Sequence, residues 1–239
     1  MTPETDIIIS TRITREFPNE AEFAQCIQAV ADNTSRYRLI LVDDGSDGVG
    51  QEIVSNIAKR FRDCILIRTH FQHWFTRAFN LGLRMARTPH VVLLNSDTIP
   101  RQGWLEELYA VQTEAEGQIG RVGIVGSVLS GDEPRRWANA PNPDYVTGHC
   151  WLASMQALAE ISNARGMPGI YLDETCASSI HINSDVKACT EMNNLGWSTV
   201  KSFKSHVDHH GGKAWGHQVW RIAHLKMHDV AYHYAGETI

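Results

Sequence analysis

Three places in the 239-residue sequence concentrate groups able to do chemistry. Asp43-Asp44-Gly45-Ser46 follows the apolar run Leu39-Ile40-Leu41-Val42, and Asn95-Ser96-Asp97 follows Val91-Val92-Leu93-Leu94. The third is the C-terminal stretch, where His206, His209, His210 and His217 surround Asp208, Gly211-Gly212 and Lys213. Carboxylate oxygens are hard ligands, suited to a Mg2+ or Mn2+ ion that holds a diphosphate. Asp-Gly and Asn-Ser-Asp are also plain turn formers, so their position relative to a sheet decides between the two readings.

The elements that position these residues can be read from periodicity. Asp6 to Ser10 is expected as a strand, and Asn19 as the cap of a helix burying Phe23, Cys26, Ile27 and Val30. Leu39 to Val42 reads as a buried strand ending in the first acidic cluster. A helix with Ile53, Val54, Ile57 and Phe61 on one face follows, then a strand over Cys64–Arg68 and a helix over Trp74–Met85. Pro89 separates that helix from the strand Val91 to Leu94, which ends in the second acidic cluster. Trp104, Leu105 and Leu108 mark a further helix. Strand and helix alternating at this spacing predict an α/β fold, with a doubly wound, mostly parallel sheet flanked by helices in a single domain. Ligands bind such sheets beyond the carboxyl ends of the strands, where both acidic clusters fall.

The second half is less regular. It predicts a strand over Val122–Leu129, a polar loop over Gly131–Pro143, a strand over Val146–Ala153 and helices over Ser154–Asn163 and Asn183–Leu195, the last closed by Gly196. With 43% hydrophobic and 21% charged residues, the chain is globular in composition. A net charge of -5 argues against a surface that grips nucleic acid or an anionic membrane throughout. No apolar run reaches the length of a membrane span, and Met1 to Asp6 is no basic leader, so a cytoplasmic protein without stable membrane insertion is expected. Five scattered cysteines without a CxxC pair fit reduced, buried thiols.

The motifs together resemble those of family 2 glycosyltransferases with the GT-A fold. Leu39-Ile-Leu-Val-Asp-Asp-Gly-Ser46 is similar to the family's nucleotide-binding segment, and Arg77-Ala-Phe-Asn-Leu-Gly-Leu-Arg-Met-Ala86 to its arginine/asparagine helix. Val91-Val-Leu-Leu-Asn-Ser-Asp-Thr-Ile-Pro100, with Gly103-Trp104-Leu105, resembles its metal-binding segment and the helix after it. These cover roughly residues 5 to 130 in the family's order.

The resemblance implies an inverting transferase that moves a sugar from a nucleotide-sugar, UDP-linked by default with dTDP and GDP open, to the hydroxyl of a glycan or small-molecule acceptor. It implies that Asp44 and Asp43 contact the donor base or ribose, joined on the donor side by Thr11, Arg77, Asn80, Asn95 and Ser96. Asp97 would hold the Mn2+ or Mg2+, with Asn95 departing from the acidic residue usual at its position.

Further along, Val146-Thr-Gly-His-Cys-Trp-Leu152 resembles the acceptor-side strand, giving Gly148 and His149 as acceptor-binding residues. Asn183-Ser-Asp-Val186 is similar to the segment carrying the general base, which makes Asp185 that base although Ser184 and Lys187 depart from the pattern. The family often carries a His near this point that completes the metal site or meets the phosphates; His209 and His210 both qualify, with Gly211, Gly212 and Lys213 as a flap over the diphosphate. The chain then divides into a donor and metal half over 1–130, an acceptor and catalytic part over 131–205 and a tail over 206–239, all in one GT-A-like domain.

Aromatic rings offer a second kind of contact, because sugars pack apolar C–H faces on them. Trp137, beside Arg135 and Arg136 in a polar loop, is the acceptor-platform candidate, while Trp74, Trp104 and Trp151 are expected in the core.

Rival readings remain open. Arg12, Arg15, Arg135, Arg136, Lys201 and Lys204 could line a groove for DNA whose hydroxylated bases accept the sugar. A nucleotidyltransferase uses a similar sheet but needs a glycine-rich loop where Ser10-Thr-Arg-Ile-Thr-Arg15 stands. The other two are a non-catalytic sugar-nucleotide binder and a zinc site built from His206, Asp208 and His210.

Overall fold

A computed structural model describes residues 4–128, 134–141, 144–175 and 184–210. Lys213, Gly211, Gly212, His217 and Asn183 lie outside the described residues. The first half folds as β1 (Thr5–Thr11), α1 (Glu20–Asn33), β2 (Tyr37–Asp44), α2 (Gly48–Ala58), β3 (Ile65–Thr69), α3 (Trp74–Leu83), β4 (His90–Asn95), β5 (Thr98–Pro100) and α4 (Trp104–Ile119). The rest is β6 (Val122–Ser127), β7 (Trp137–Asn139), β8 (Cys150–Ser154), α5 (Met155–Ala164), α6 (Ser184–Asn194), β9 (Ser198–Ser202) and β10 (Val207–His209).

The main sheet has the order β3-β2-β1-β4-β8-β6-β9-β7. Strands β3, β2, β1 and β4 run parallel, β8 opposes both β4 and β6, and β9 runs with β6. The continuous apolar runs are explained by burial on both faces. Ile7, Ile9, Leu39, Leu41, Val92 and Leu94 pack on the side of α1, α2 and α4. Ile8, Ile40, Val42, Val91 and Leu93 pack with residues of α3, α5 and α6. No helix among the described residues is long and apolar enough to cross a membrane.

Several local expectations are corrected. Asn19 stands at the start of α1, but its side chain makes no capping bond; the expected face of Phe23, Cys26, Ile27 and Val30 is buried. Phe61 lies beyond the end of α2, though it still packs on the core. The strand expected from Val146 begins only at Cys150, because the preceding residues turn past Asp185. Within the expected polar loop, β7 adds an antiparallel edge to β9. Gly196 closes α6 with φ +77°, the left-handed backbone expected of it.

A separate two-stranded sheet joins β10 to β5, pairing His209 with Thr98 and Val207 with Pro100. Ser205 donates to the carbonyl of Trp104 at 3.0 Å, and the His210 N–H to the carbonyl of Asp97 at 2.9 Å. The histidine stretch is therefore fastened onto the segment carrying Asn95-Ser96-Asp97 as far as residue 210.

Candidate active site

A cleft of about 350 Å³ opens at the carboxyl ends of β1, β2 and β4. Ser10, Thr11 and Arg12 come from the end of β1, with Glu16, Phe17 and Asn19 before α1. Asp44 ends β2, Gln72, Trp74, Phe75 and Phe79 approach from the start of α3, and Asn95, Ser96 and Asp97 follow β4. The two acidic clusters, about fifty residues apart in sequence, thus meet in one cavity because β1 alone separates β2 from β4.

The two residues of the first cluster do different work. Asp43 is fully buried; it accepts from Arg68 Nε at 2.8 Å and from the Ser46 N–H at 3.2 Å, which pins the turn after β2. Asp44 faces the cleft and accepts from the N–H groups of His73 at 2.7 Å and Trp74 at 2.8 Å. Burial pushes the Asp44 carboxyl above the usual range, against the pull of those two backbone donors.

Gly45 makes the turn possible. Its φ is +79°, and a Cβ there would lie 2.6 Å from both Phe71 C and Gln72 N. Gly45→Ala is expected to destabilise the fold by about 2–5 kcal/mol, combining roughly 1–2 for left-handed backbone with roughly 1–3 for overpacking. Denaturant unfolding checks this; an unchanged midpoint would mean that the loop shifts aside freely.

Asp97 lies at the cleft floor, 5% exposed, with His209 Nε2 3.1 Å from its Oδ1. Beneath them His149 is buried and stacked on His209, with ring centroids 5.3 Å apart. Ser127 Oγ and Thr147 Oγ1 engage its Nε2 and Nδ1 at 2.9 and 3.0 Å. Burial, reinforced by His209, lowers its pKa to about 4, so the ring is neutral at pH 7. His149 therefore underlies the Asp97–His209 pair and does not line the cleft. His210 differs from His209: it gives its backbone N–H to Asp97, while its side chain is exposed.

Asp185 sits at the start of α6 and accepts from the Gly148 N–H at 3.3 Å and the Val186 N–H at 2.9 Å. Burial raises its pKa in spite of both bonds. A Cβ on Gly148 would meet Phe75 Cζ at 3.3 Å and Asp185 Cβ at 3.5 Å, so glycine leaves the space between them. Phe75 also lines the cleft, whereas Asp185 is not among the residues that line it.

Other side chains lie elsewhere than expected. Asn80 is buried and donates to the Leu172 carbonyl at 2.8 Å and to Glu174 Oε1 at 3.0 Å, while accepting from the Leu172 N–H at 2.8 Å. Arg77 approaches Glu174 at 3.5 Å, so α3 holds the Leu172–Glu174 segment through both residues. Trp137 is turned away from the cleft: its Nε1 donates to Glu114 at 2.9 Å and its ring packs on the core. Trp104 and Trp151 are core residues with no exposure, whereas Trp74 lines the cleft, drawn there by the bond from its N–H to Asp44.

The rival sites fare differently. Of the cations named for a DNA groove, Arg136 is paired with Glu107 and Glu114, and Lys201 with Asp144. Arg101 pairs with Asp208. No three His, Cys, Asp or Glu side chains converge as a metal cage among the described residues, so the zinc reading loses its support. Asp97 alone supplies a carboxylate of the kind through which Mg2+ is held when phosphate oxygens and water complete its shell.

This sheet order, with acidic clusters at the strand ends facing one cleft, defines a GT-A fold. The glycosyl transferase family 2 model matches residues 6–161, and the chain belongs to that family. It is 24% identical over 140 residues to the glycosyltransferase GlyG of Streptococcus pneumoniae, covering 58% of this chain and 44% of that protein. It is 26% identical over 117 residues to the poly(ribitol-phosphate) beta-N-acetylglucosaminyltransferase TarP of Staphylococcus aureus, covering 46% and 35%. The chain thus spans less than half the length of these curated relatives in what it matches.

Among solved structures, the mannosyltransferase PcManGT from Pyrobaculum calidifontis, in complex with GDP-Man and Mn2+, superposes with a TM-score of 0.69 at 16% identity. That match covers 100% of this chain and 66% of the other. S. aureus TarS 1-349 superposes with a TM-score of 0.61 at 12% identity, covering 93% and 65%.

Proposed function

We propose that this chain transfers a sugar from a nucleotide-diphosphate sugar to an acceptor hydroxyl, with inversion at the anomeric carbon and with Mn2+ or Mg2+ at Asp97. The observation that carries the reading is the meeting of Asp44 and Asp97 in one cleft at the carboxyl edge of the sheet. Asp44 takes the nucleoside end of the donor, and Asp97 with His209 takes the metal-bound diphosphate. When bound, the metal ion offsets charge growing on the leaving diphosphate without needing a proton. Asn95, with no charge of its own, and Ser96 line the same floor and orient the donor. Asp43 acts by fixing the turn behind Asp44.

Asp185 accepts the proton of the acceptor hydroxyl as the new bond forms. The Gly148 and Val186 N–H groups fix the carboxylate. Arg77 and Asn80 serve by holding the Leu172–Glu174 segment. Residues 1–130 are the donor half and 131–205 the acceptor half of one domain. Lys213 is retained as a diphosphate contact from the tail. The acceptor class is a glycan or small hydroxylated molecule; the polymer named for TarP supports testing glycans first.

The test is a panel of UDP-, GDP- and dTDP-sugars incubated with Mn2+ and followed for slow release of nucleoside diphosphate. One nucleotide group is expected to be hydrolysed, and chelation with EDTA to stop the reaction. Release of pyrophosphate from a nucleoside triphosphate, with no hydrolysis of any nucleotide-sugar, would favour a nucleotidyltransferase instead.

A further inference from the structure

Trp74 holds the single positive φ, +67°, found at a non-glycine residue among the described ones. A bulky side chain enters this region only when its surroundings impose it, and such outliers concentrate at ligand sites. The imposition is visible: Asp44 accepts from the N–H groups of both His73 and Trp74, and Thr69 Oγ1 donates to the same carboxylate at 3.2 Å. Gly45 lets the chain at Phe71 and Gln72 pass within reach of that carboxylate. The indole-bearing residue thereby lines the cleft beside the Asp44 carboxylate.

Polar atoms without partners share that cleft. Thr11 and Asn19 are 2% and 8% exposed, yet Thr11 Oγ1 and Asn19 Oδ1 have no hydrogen-bond partner, and neither does the buried Arg12 Nε. Buried polar atoms that no other protein group meets are uncommon, and water or a bound ligand ordinarily satisfies them. A flat aromatic wall together with unmet donors and acceptors fits a flat ligand with a polar edge. A nucleobase has both properties.

We propose that Trp74 is a specificity-determining platform on which the donor nucleobase stacks, with Thr11, Arg12 and Asn19 contacting the edge of the base. The inference rests on the donor reading above and adds the part of the donor that this wall recognises. Its position beside Asp44, with Phe75 facing Gly148 and Asp185, assigns the indole to the donor and not to the acceptor.

The test measures binding of UDP, GDP, dTDP and base-free inorganic pyrophosphate, each with Mn2+, to the wild-type chain and to W74A, W74F and W74G. W74A is expected to weaken the preferred nucleotide by about tenfold to a hundredfold, with pyrophosphate binding unchanged. W74F should recover most of that loss. W74G, able to adopt the backbone without strain, should melt above W74A while binding nucleotide no better.

Nucleotide affinity in W74A equal to that of the wild type overturns the platform and leaves the donor reading intact. Equal losses for nucleotide and pyrophosphate also overturn it, because the loop would then act through the diphosphate. A wild-type chain that binds pyrophosphate but none of the three nucleotides removes the donor reading and the platform together.

Discussion

Asp185→Asn is expected to lower turnover by about 10²–10⁴-fold while leaving donor-nucleotide affinity unchanged. The substitution preserves size, and its one amide oxygen can still accept from the Val186 N–H at the start of α6, while the Gly148 N–H, which bonds the other carboxylate oxygen, loses its acceptor. What is lost is the basic carboxylate. The same residue sets a pH dependence whose sign follows from burial. The carboxyl is raised above its ordinary value of 3.8, and the base works only when deprotonated, so turnover falls as pH drops through that raised pKa. This acid limb should lie above the usual carboxylate range in the wild-type chain and vanish from the residual activity of the variant. Steady-state rates across pH, with nucleotide binding measured separately, check both points. Unchanged turnover in the variant would remove Asp185 as the base.

Asp97→Asn should reduce turnover by about a thousandfold or more, since metal stabilisation of a leaving diphosphate is worth several kcal/mol. Here the loss should extend to binding. The variant removes one negative charge from the cleft floor and leaves His209 beside a neutral amide. Its fold should survive, because the β5–β10 pairing that fastens this segment is made by backbone groups and by the Ser205 bond to Trp104. A melting temperature near that of the wild type would show that lost activity is local. The two variants therefore separate: one binds donor and cannot react, and the other loses the metal-dependent part of binding.

The sheet that brings these residues together was legible because its strands are continuous apolar runs. Ile7 to Ile9, Leu39 to Val42 and Val91 to Leu94 each supply side chains to both faces, a pattern that only a sheet covered on both sides satisfies. The acidic clusters could be placed from the points where those runs stop. The short strands had no such signal: β5, β7 and β10 have three residues each, and they exist because a distant segment pairs with them.

The choice between His209 and His210 depended on one such pairing, since β10 alone determines which ring faces Asp97. His149 resembled an acceptor residue because of its neighbours in sequence, but Ser127 on β6 draws its ring inward. Trp74 looked like core on an amphipathic helix; its left-handed backbone arises from Asp44, thirty residues earlier. Trp137 looked like an exposed platform because nothing local announced Glu114 as the partner of its indole.

The most direct test of the account is calorimetric titration of UDP and GDP into the wild-type, Asp185→Asn and Asp97→Asn chains, each with Mn2+ and with EDTA. The wild-type and Asp185→Asn chains should bind one nucleotide alike and much more tightly with Mn2+, while Asp97→Asn should show little difference between the two conditions. An Asp97→Asn chain that keeps the full Mn2+-dependent gain would contradict the assignment of the metal-bound diphosphate to the floor of this cleft.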